Sequence, residues 1–377
     1  MHTDYDIGII GGGLAGLSLA LLAADAGYSV VLFEKENYPF HKVCGEYISY
    51  ESYDFLHLLG LPLSGWNLPS IKKLVVSDTK GSEYKFKLDL GGFGISRYTI
   101  DHFVYLIALQ KGVKVFTNEK VNDVRFDKDI QIIQTNKEDT AVKIVAGAYG
   151  KRSNLDVKWK RKFVTKKVNK LNNYVGVKYH VHTDFPKDTI ALHNFKGGYC
   201  GISAIENDKY CLCYLTNANN LSANNNSITQ MQENILYKNA ALKKIFTESE
   251  FLYEAPLTIS QISFEQKTQV QDHVLMLGDA AGMITPLCGN GMSMAMHSAK
   301  LAFTEMDNFL QQKISRNEME KNYGSNWKKK FAARLTTGRI VQRLMGNEFS
   351  TGKFLKIMND FPFAARAIIR STHGKSF

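Results

Sequence analysis

The sequence has few cysteines, and none of them stands in a metal-binding or disulfide pattern. The number of cysteines is odd: they are Cys44, Cys200, Cys211, Cys213 and Cys288. They form no CxxC pair, and no histidine stands at ligand spacing from them. The ten histidines include no HxxxH or HExxH pattern. Such spacing argues against a disulfide framework and against a zinc site. We therefore expect no bound metal.

The sequence also lacks a long apolar run. No stretch reaches the ~18 uninterrupted apolar residues of a membrane span. The first residues, MHTDYD, carry acids where a signal peptide needs basic residues. A composition of 44% hydrophobic and 22% charged residues is typical of a soluble globular protein. We expect a cytoplasmic protein, and contact with a membrane periphery stays open.

Acidic residues are too few to balance the basic ones, and the net charge is +11. Much of the excess lies in two segments, Lys158 to Lys170 and Lys328 to Arg343. A basic excess attracts acidic partners, such as an anionic membrane surface or an acyl-carrier protein, although solvated surface lysines explain any single cluster as well. No nucleic-acid-binding motif accompanies the charge, so nucleic acid is not an expected partner.

A dinucleotide-binding pattern is present at the start of the chain. An apolar run from Tyr5 enters Gly11-Gly12-Gly13, a helical pattern follows, and a second β-branched run ends on Glu34. Glycines at this spacing allow a tight turn and a close approach of the backbone to a pyrophosphate at the helix N-terminus. A carboxylate about 20 residues further on suits a ribose hydroxyl pair. The pattern predicts FAD or NAD binding and does not choose between them.

A second constellation lies far along the chain, from Val274 to Ala295. A buried strand ends in Gly278-Asp279, a turn passes Pro286, and Gly289-Asn290-Gly291-Met292 opens a helix. Asp279 can accept a hydrogen bond from a sugar or ribityl hydroxyl. Amides at a helix N-terminus can stabilise negative charge on a reduced flavin ring. A second set of contacts this distant in sequence favours the long cofactor FAD over NAD.

Alternating apolar runs predict hairpins at Lys72 to Leu88 and Val121 to Thr135, and a separate antiparallel sheet between Asn173 and Thr216. Residues Ile228 to Phe246 read as a helix. The chain from Gly291 onward also reads as helical, with breaks near Gly324, Gly338, Gly346 and Pro362.

Together, GGGLAG and GDAAGMITPLCGNGMSMA resemble the flavoprotein superfamily of the para-hydroxybenzoate hydroxylase-type monooxygenases and the geranylgeranyl reductases. Lys42 to Glu46 (KVCGE) is similar to the reductase branch. The resemblance implies an α/β fold, with a Rossmann-like FAD-binding domain, an inserted antiparallel β-sheet substrate domain and a helical C-terminal region. The expected ranges are 1–70, 95–170 and 255–305 for FAD binding, 71–94 and 171–254 for substrate, and 306–377 for the C-terminal helices.

The resemblance also implies a set of cofactor-binding residues. These are Gly11, Gly13, Leu14, Ala15, Gly16, Glu34, Lys35, Cys44, Gly45, Arg97, Val121, Gly278, Asp279, Pro286, Gly289, Asn290, Gly291 and Met292. Arg97 precedes a helix that approaches the flavin in such proteins, although a pair with Asp101 explains it equally well. Cys44 and Tyr199 are candidate catalytic residues.

Two departures from the family pattern bear on the reaction. The second nucleotide motif has Tyr149 in Gly147 to Gly150 where the family has aspartate, which leaves NADPH and NADH open as electron donors. The prenyl reductases have a Tyr-x-Trp-x-Phe-Pro motif that lines the lipid cavity. The corresponding segment here, Tyr199 to Ala204, retains only the tyrosine. The resemblance implies reduction of carbon–carbon double bonds in a lipophilic substrate. The alternatives are a monooxygenase acting on an aromatic or polyketide-like substrate and a non-catalytic flavin-binding accessory protein.

Overall fold

The computed structural model of the chain describes residues 3–167, 169 and 172–377. The predicted basic segment Lys158 to Lys170 therefore includes two positions, Val168 and Lys170, that lie outside the described residues.

The described residues form seventeen strands, numbered in chain order. They are β1 (Tyr5–Ile10), β2 (Val30–Phe33), β3 (Tyr47–Ser49), β4 (Ser70–Ser77), β5 (Glu83–Gly94), β6 (Lys114–Phe116), β7 (Asp123–Asp127), β8 (Ile130–Gln134), β9 (Asp139–Gly147), β10 (Asn172–His182), β11 (Thr189–Phe195), β12 (Gly198–Ala204), β13 (Tyr210–Asn217), β14 (Glu250–Phe251), β15 (Leu257–Ser263), β16 (Val270–Gln271) and β17 (Val274–Met276).

The same residues form eleven α-helices. They are α1 (Leu14–Asp25), α2 (Tyr53–Leu58), α3 (Arg97–Gln110), α4 (Asn154–Lys158), α5 (Ala218–Ser222), α6 (Ile228–Asn234), α7 (Ala240–Glu248), α8 (Gly291–Leu310), α9 (Arg316–Leu344), α10 (Glu348–Asp360) and α11 (Pro362–Thr372).

The first sheet has the order β16-β17-β9-β1-β2-β6, and its central strands are parallel. Strands of a parallel sheet are covered on both faces, which explains why β1 and β2 are short continuous apolar runs. Helix α1 packs between this sheet and helices α3 and α8, so apolar residues occupy nearly all of its faces. The predicted Rossmann-like domain is confirmed, and strand β9, which ends at Gly147, lies beside β1 in its sheet.

The second sheet has the order β14-β10-β13-β12-β11-β4-β5-β3, and β15 pairs with β10. Its pairs are antiparallel except for β11 with β4. Two of its strands, β3 and β15, come from ranges that the sequence assigns to the FAD-binding domain. The chain crosses between the sheets as often as the predicted ranges have it, but the strands of the second sheet begin earlier, at β3, and end later, at β15. The predicted fold class is confirmed.

One face of the second sheet packs on α6 and α7, around Tyr179, Phe195, Leu212 and Tyr214. The opposite face is directed to the glycine-rich loops of the first sheet and to the C-terminal helices. Glu206, just beyond β12, joins the two parts: its carboxylate accepts hydrogen bonds from the Ser96 backbone N–H (2.7 Å) and the Thr99 hydroxyl (2.7 Å) at the start of α3. An anion at a helix N-terminus is a favourable arrangement.

Two predicted helix breaks are wrong, because Gly324 and Gly338 both lie inside α9. Gly338 serves close packing: a Cβ built there would lie 3.0 Å from the Thr285 hydroxyl and 3.2 Å from the Cys288 sulfur. The breaks at Gly346 and Pro362 are confirmed. The single helix expected over Ile228 to Phe246 is interrupted between α6 and α7. Among the described residues, no helix combines the length and the apolarity that a membrane span requires.

Candidate functional site

The turn between β1 and α1 has the geometry of a phosphate-binding loop. Gly11 has φ +101°, and a Cβ at Gly16 would lie 2.0 Å from the Gly11 carbonyl oxygen, so both positions require glycine. The Glu34 carboxylate is buried at the end of β2 and accepts hydrogen bonds from the backbone N–H groups of Gly12 (2.8 Å) and Glu36 (3.1 Å). The predicted relation of Glu34 to the glycine turn is thus present.

Two cations lie over this turn. The open side of Gly13 faces the Arg97 guanidinium and the Lys42 ammonium, which lie 3.5 and 3.6 Å from the position of a Cβ. Both cations pair with the buried Asp101, at 2.7 Å for Arg97 and 2.9 Å for Lys42. Burial alone would raise the pKa of Asp101, but Arg97 and Lys42 lower it below its ordinary value. Arg97 therefore pairs with Asp101 and also lies beside the glycine turn, while its approach to the flavin stays a prediction.

The motif that has Tyr149 in place of aspartate supports the Gly278-Asp279 turn through hydrogen bonds and an ion pair. Tyr149 donates a hydrogen bond to Asp156 (2.9 Å). Asp156 also pairs with the buried Arg161 (2.7 Å), which donates to the carbonyl oxygens of Thr268 (2.8 Å) and Ala280 (3.0 Å). This ion pair fixes the Gly278-Asp279 turn against the end of β9.

Asp279 has the properties of a group that awaits a donor. Among the described residues its carboxylate has no ion-pair partner, and burial raises its pKa although Lys267 and Arg97 act in the opposite sense. Lys267 binds the backbone carbonyl of Asp279 (2.7 Å), and burial lowers the pKa of Lys267 to about 8. A hydroxyl-bearing chain would supply the missing donor. The site therefore fits the ribityl part of FAD.

The N-terminus of α8 forms the other end of the candidate cofactor site. Gly289 has φ +65°, and the Tyr47 ring lies 3.1 Å from the position of a Cβ there. Three buried polar atoms of this region have no hydrogen-bond partner in the described structure. They are the hydroxyl of Tyr47, which packs on Gly289, Asn290 Oδ1 and the Ser293 hydroxyl. Buried polar groups without partners are rare, and they indicate a polar ligand. The residues present therefore fit FAD, which would lie with its ring at this helix.

The face of the second sheet that is directed to these loops is divided along the strands. Paired residues on neighbouring strands share a face, so Ser203, Cys211 and His180 form one row, and Tyr199, Leu215 and Gly176 form another. The row between them contains Gly201 and Cys213, which are partly exposed although their strand neighbours are buried. Partial exposure in the middle of a buried face indicates free space above this row.

On one side of that row lies a buried charged cluster, which we call the polar half. Glu46 accepts hydrogen bonds from Lys178 (2.5 Å), His180 (2.6 Å) and the backbone N–H of Arg97 (2.7 Å). Lys178 and Glu46 are both fully buried. Burial would raise the pKa of Glu46, but Lys178 and His180 lower it; burial would lower the pKa of Lys178, but Glu46 raises it. The two groups stay charged together.

A hydrogen-bonded chain leads outward from this cluster. The other ring nitrogen of His180 lies 2.7 Å from the Tyr253 hydroxyl, which lies 3.2 Å from Nδ1 of His41. His41 is half-buried and stacks on the partly exposed ring of Tyr98. Burial and the nearby Lys178 lower the pKa of His41 to about 4. The chain joins the surface to Glu46 through groups that can all exchange protons.

Glu46, His180 and Cys211 bring three possible metal ligands within 4.8 Å of one another. The Lys178 ammonium, 2.5 Å from the same carboxylate, places a competing positive charge at this point. Burial raises the pKa of the Cys211 thiol well above its ordinary value, which favours the neutral form over a metal-binding thiolate. The chemistry of the cluster is therefore that of an ion pair.

On the other side of the row lies an apolar cluster, which we call the apolar half. It contains Tyr199, Tyr174 and Leu215 of the sheet, and helix α10 covers it with Phe354 and Leu355. The Tyr199 hydroxyl has no hydrogen-bond partner in the described structure, and burial raises its pKa well above the ordinary value. Tyr199 lies near Cys288, directly before Gly289, so this half adjoins the α8 end of the cofactor site.

The structure brings the two candidate catalytic residues to the two sides of the same row. Cys44 lies near Cys213 on the polar side, and Tyr199 lies near Cys213 on the apolar side. The Cys44 carbonyl accepts a hydrogen bond from the Cys211 thiol (3.2 Å). Burial raises the pKa of Cys44, so its sulfur is a thiol rather than a nucleophilic thiolate.

Other predicted residues have simpler surroundings. Leu14 and Ala15 are buried at the start of α1, and Val121 packs in the same core. Lys35 is exposed and pairs with Glu36. Pro286 begins the short turn before Gly289. Their contacts with FAD stay predictions.

Sequence reasoning missed the roles of Lys178, His180 and Tyr253. A signal for the first two was present in β10, YVGVKYHVH, where the valines alternate with Lys178 and His180. A fully buried strand is normally apolar on both of its faces. Charged residues on one face of such a strand therefore indicate that this face has polar partners. Tyr253 follows the short strand β14 and carried no such signal.

Comparison with known proteins gives one family and several more distant relatives. The model of the FAD binding domain family matches residues 4–321. The conditioned medium factor receptor 1 of Dictyostelium discoideum is 24% identical over 359 residues, which cover 88% of this chain and 68% of the relative. Digeranylgeranylglycerophospholipid reductase 1 of Methanopyrus kandleri is 31% identical over 114 residues, which cover 30% of this chain and 29% of the reductase.

Two solved structures have the same fold at low sequence identity. A geranylgeranyl bacteriochlorophyll reductase-like protein from Thermoplasma acidophilum is 17% identical, with a TM-score of 0.78 over 97% of this chain and 95% of that one. The flavin-dependent brominase Bmp2 is 18% identical, with a TM-score of 0.78 over 98% of this chain and 93% of that one. At these identities the likeness concerns the fold alone.

Proposed function

The chain belongs to the FAD binding domain family and is an FAD-dependent oxidoreductase; on that premise we propose that it reduces carbon–carbon double bonds of a lipophilic substrate. The observation that supports this reaction is the partial exposure of Gly201 and Cys213 in the middle of a buried sheet face, between a charged and an apolar cluster. An apolar chain would lie against Tyr199 and Leu215, with one segment presented at the polar half.

Reduction of a double bond adds a hydride to one carbon and a proton to the other. FAD, when bound and reduced, supplies the hydride. The chain from His41 through Tyr253 and His180 to Glu46 can pass a proton inward from the surface. Lys178 keeps a positive charge beside this path, and the electron donor is NADPH or NADH.

The reaction can be tested with the purified holoenzyme. We expect NADPH or NADH to bleach the flavin absorbance under argon, and an added polyunsaturated isoprenoid to restore it with formation of the dihydro product. Hydroxylation of an added aromatic compound that requires air would favour the monooxygenase instead. The accessory role would be favoured if no donor, dithionite included, gave a reduced flavin that an added acceptor could reoxidise.

The cofactor site has a separate test in Asp279. Replacing Asp279 by Ala removes the partly buried carboxylate that has no ion-pair partner in the described structure, and we expect the protein to purify with less than about a tenth of the wild-type flavin, since one charge-assisted hydrogen bond contributes roughly 1.5–3 kcal/mol. Asp279→Asn keeps an acceptor and should retain an intermediate share. Full flavin occupancy in Asp279→Ala, measured by absorbance after denaturation, would contradict the assignment.

A further inference from the structure

The last two helices expose large apolar side chains to solvent. Phe349, Ile357, Phe361 and Phe363 have 71%, 55%, 63% and 85% of their surfaces exposed. Four of the five most exposed large apolar side chains among the described residues therefore come from this short part of the chain. Contiguous exposure of this kind marks a surface that binds a partner or a membrane.

Helix α10 has two distinct faces. Its buried residues are Thr351, Leu355 and Met358. Phe349, Lys353 and Ile357 follow at intervals of four on the opposite side, and the Lys353 ammonium lies 3.9 Å from the centre of the Phe349 ring. Lys356 is exposed on the same side. The outer face of α10 thus alternates apolar and cationic groups.

Helix α11 continues this composition. Phe363, Arg366 and Arg370 are exposed at helical spacing. Arg366 and Arg370 also line a cleft of about 500 Å³ between β5, α9 and α11. Four cations of this cleft have no carboxylate within ion-pair distance in the described residues. They are Lys87, Lys330, Arg366 and Lys375. The helix surface therefore borders on uncompensated positive charge.

Charge is concentrated in this part of the chain. Residues 321–377 contain twelve Lys and Arg against two acidic residues, which gives a net charge of +10 out of +11 for the whole chain. The rest of the chain is nearly neutral. A field of this sign draws an anionic partner to the C-terminal helices specifically.

We propose that the outer faces of α10 and α11, from Phe349 to Arg370, dock on an anionic lipid surface. The aromatic side chains would enter the boundary between head groups and acyl chains, and the interleaved lysines and arginines would bind the head groups. Separate aromatic side chains on convex helices suit a fluid surface, because a protein partner has to present a fixed pocket to each of them. The cleft between β5, α9 and α11 can take head groups at the edge of this contact.

This surface is joined to the candidate site through α10 itself. The inner face of the helix places Phe354 and Leu355 over the apolar half of the sheet, while its outer face carries Lys353, Lys356 and Ile357. Docking would therefore bring the helix that covers the apolar half to the lipid boundary. The inference goes beyond the proposed reaction and does not depend on it.

The test uses the full-length holoprotein and vesicles of phosphatidylcholine with and without phosphatidylglycerol. We expect cosedimentation with the phosphatidylglycerol vesicles, weakened by salt because the charges are exposed. The double variant Phe349→Glu/Phe363→Glu should bind at least about tenfold more weakly, since two buried aromatic anchors become charges. The double variant Lys353→Glu/Lys356→Glu should also bind more weakly and show a smaller salt dependence than the wild type.

Leu58→Glu is the matched control, because Leu58 is 64% exposed on α2, outside the surface. It should bind as the wild type does, and flavin content and urea midpoints should show that all variants are folded. Absence of binding to phosphatidylglycerol vesicles at low salt would overturn the proposal, as would equal binding of the wild type and the Phe349/Phe363 variant. Capture of an acidic acyl-carrier protein that needs Phe363, without any vesicle binding, would assign the surface to a protein partner instead.

Discussion

The two halves of one sheet face solve the problem of burial in opposite ways. In the polar half, Glu46 and Lys178 are fully buried as ions and have several hydrogen-bond partners. In the apolar half, Tyr199 and Leu215 pack under α10, and the one buried hydroxyl of Tyr199 has no partner in the described structure. In the polar half, removal of a group that has a hydrogen-bond partner is costly. In the apolar half, stability depends on how well the side chains pack.

This difference teaches how a binding face can be divided without a domain boundary. On β12 and β13 the two halves are separated by Gly201 and Cys213, and Lys178 of the polar half continues the same row on β10. A substrate over this row would meet fixed charge on one side and an apolar wall on the other. Substitutions that act on one half should therefore leave a different signature from those that act on the other.

The largest expected effect is in the polar half. Lys178→Met would leave the buried Glu46 carboxylate without its cation, and we expect a loss of about 3–5 kcal/mol in the free energy of unfolding. The measurement is urea unfolding followed by circular dichroism. Adding Glu46→Gln removes the uncompensated charge, so the double variant should recover most of the loss. A cost below about 1 kcal/mol for Lys178→Met alone would show that the pair is not essential to the half.

The apolar half should respond to a loss of volume. Leu355 of α10 is fully buried in the apolar cluster that also contains Tyr199, and Leu355→Ala should cost about 2–4 kcal/mol through lost burial and an unfilled cavity. Ile357→Ala on the outer face of the same helix is the matched control, with an expected change within about 0.5 kcal/mol, because Ile357 is 55% exposed. Similar costs for both variants would mean that α10 does not close the apolar half.

The polar half should also depend on pH through His41. Its pKa falls from an ordinary 6.5 to about 4 in the folded protein. The unfolded chain therefore binds more protons between these values, and stability is present above pH 6.5 and is lost as the pH falls towards 4. Because His41 is only half-buried, solvent screening reduces the expected loss to about 1 kcal/mol.

Burial also lowers the pKa values of His193 and His297, so His41→Gln should remove only its own share, about 1 kcal/mol, of the fall in unfolding free energy in this window. His57→Gln, which removes an exposed histidine of α2, should leave the profile unchanged. A wild-type profile that is already flat between pH 6.5 and 4 would contradict the buried environment of His41.

Local patterns predicted much of this arrangement. The strand, glycine turn and helix at Tyr5 to Asp25 form a unit whose glycines and periodicity are readable in sequence, and the same holds for the turn from Gly278 to Met292. The fold class follows from these units. The break expected at Gly338 fails because a glycine that allows close packing has the same signature as one that ends a helix. Gly324 lies inside the same helix with open space at the position of a Cβ, so no close packing explains it.

The polar half could not be predicted in the same way. Glu46 meets Lys178 and His180 from positions more than 130 residues away, and no local pattern encodes which strand will lie over the loop that contains it. Tyr253 enters the chain from a loop that carries no motif. Pairings of this kind depend on the topology of the second sheet, which single-sequence patterns do not give.

The smallest expected effect is that of Tyr199→Phe in the apolar half. Its hydroxyl lies near the backbone of Leu287 but makes no hydrogen bond in the described structure, so its removal should change the unfolding free energy by less than about 0.5 kcal/mol. The same change at Tyr253 removes the partner of His180, at 2.7 Å, and should cost about 1–2 kcal/mol. A hydroxyl kept in a buried place without a partner in the free protein is available to a bound substrate. Tyr199→Phe should therefore lower turnover of the substrate while stability stays unchanged, and a loss of stability equal to that of Tyr253→Phe would show instead that Tyr199 has a structural hydrogen bond.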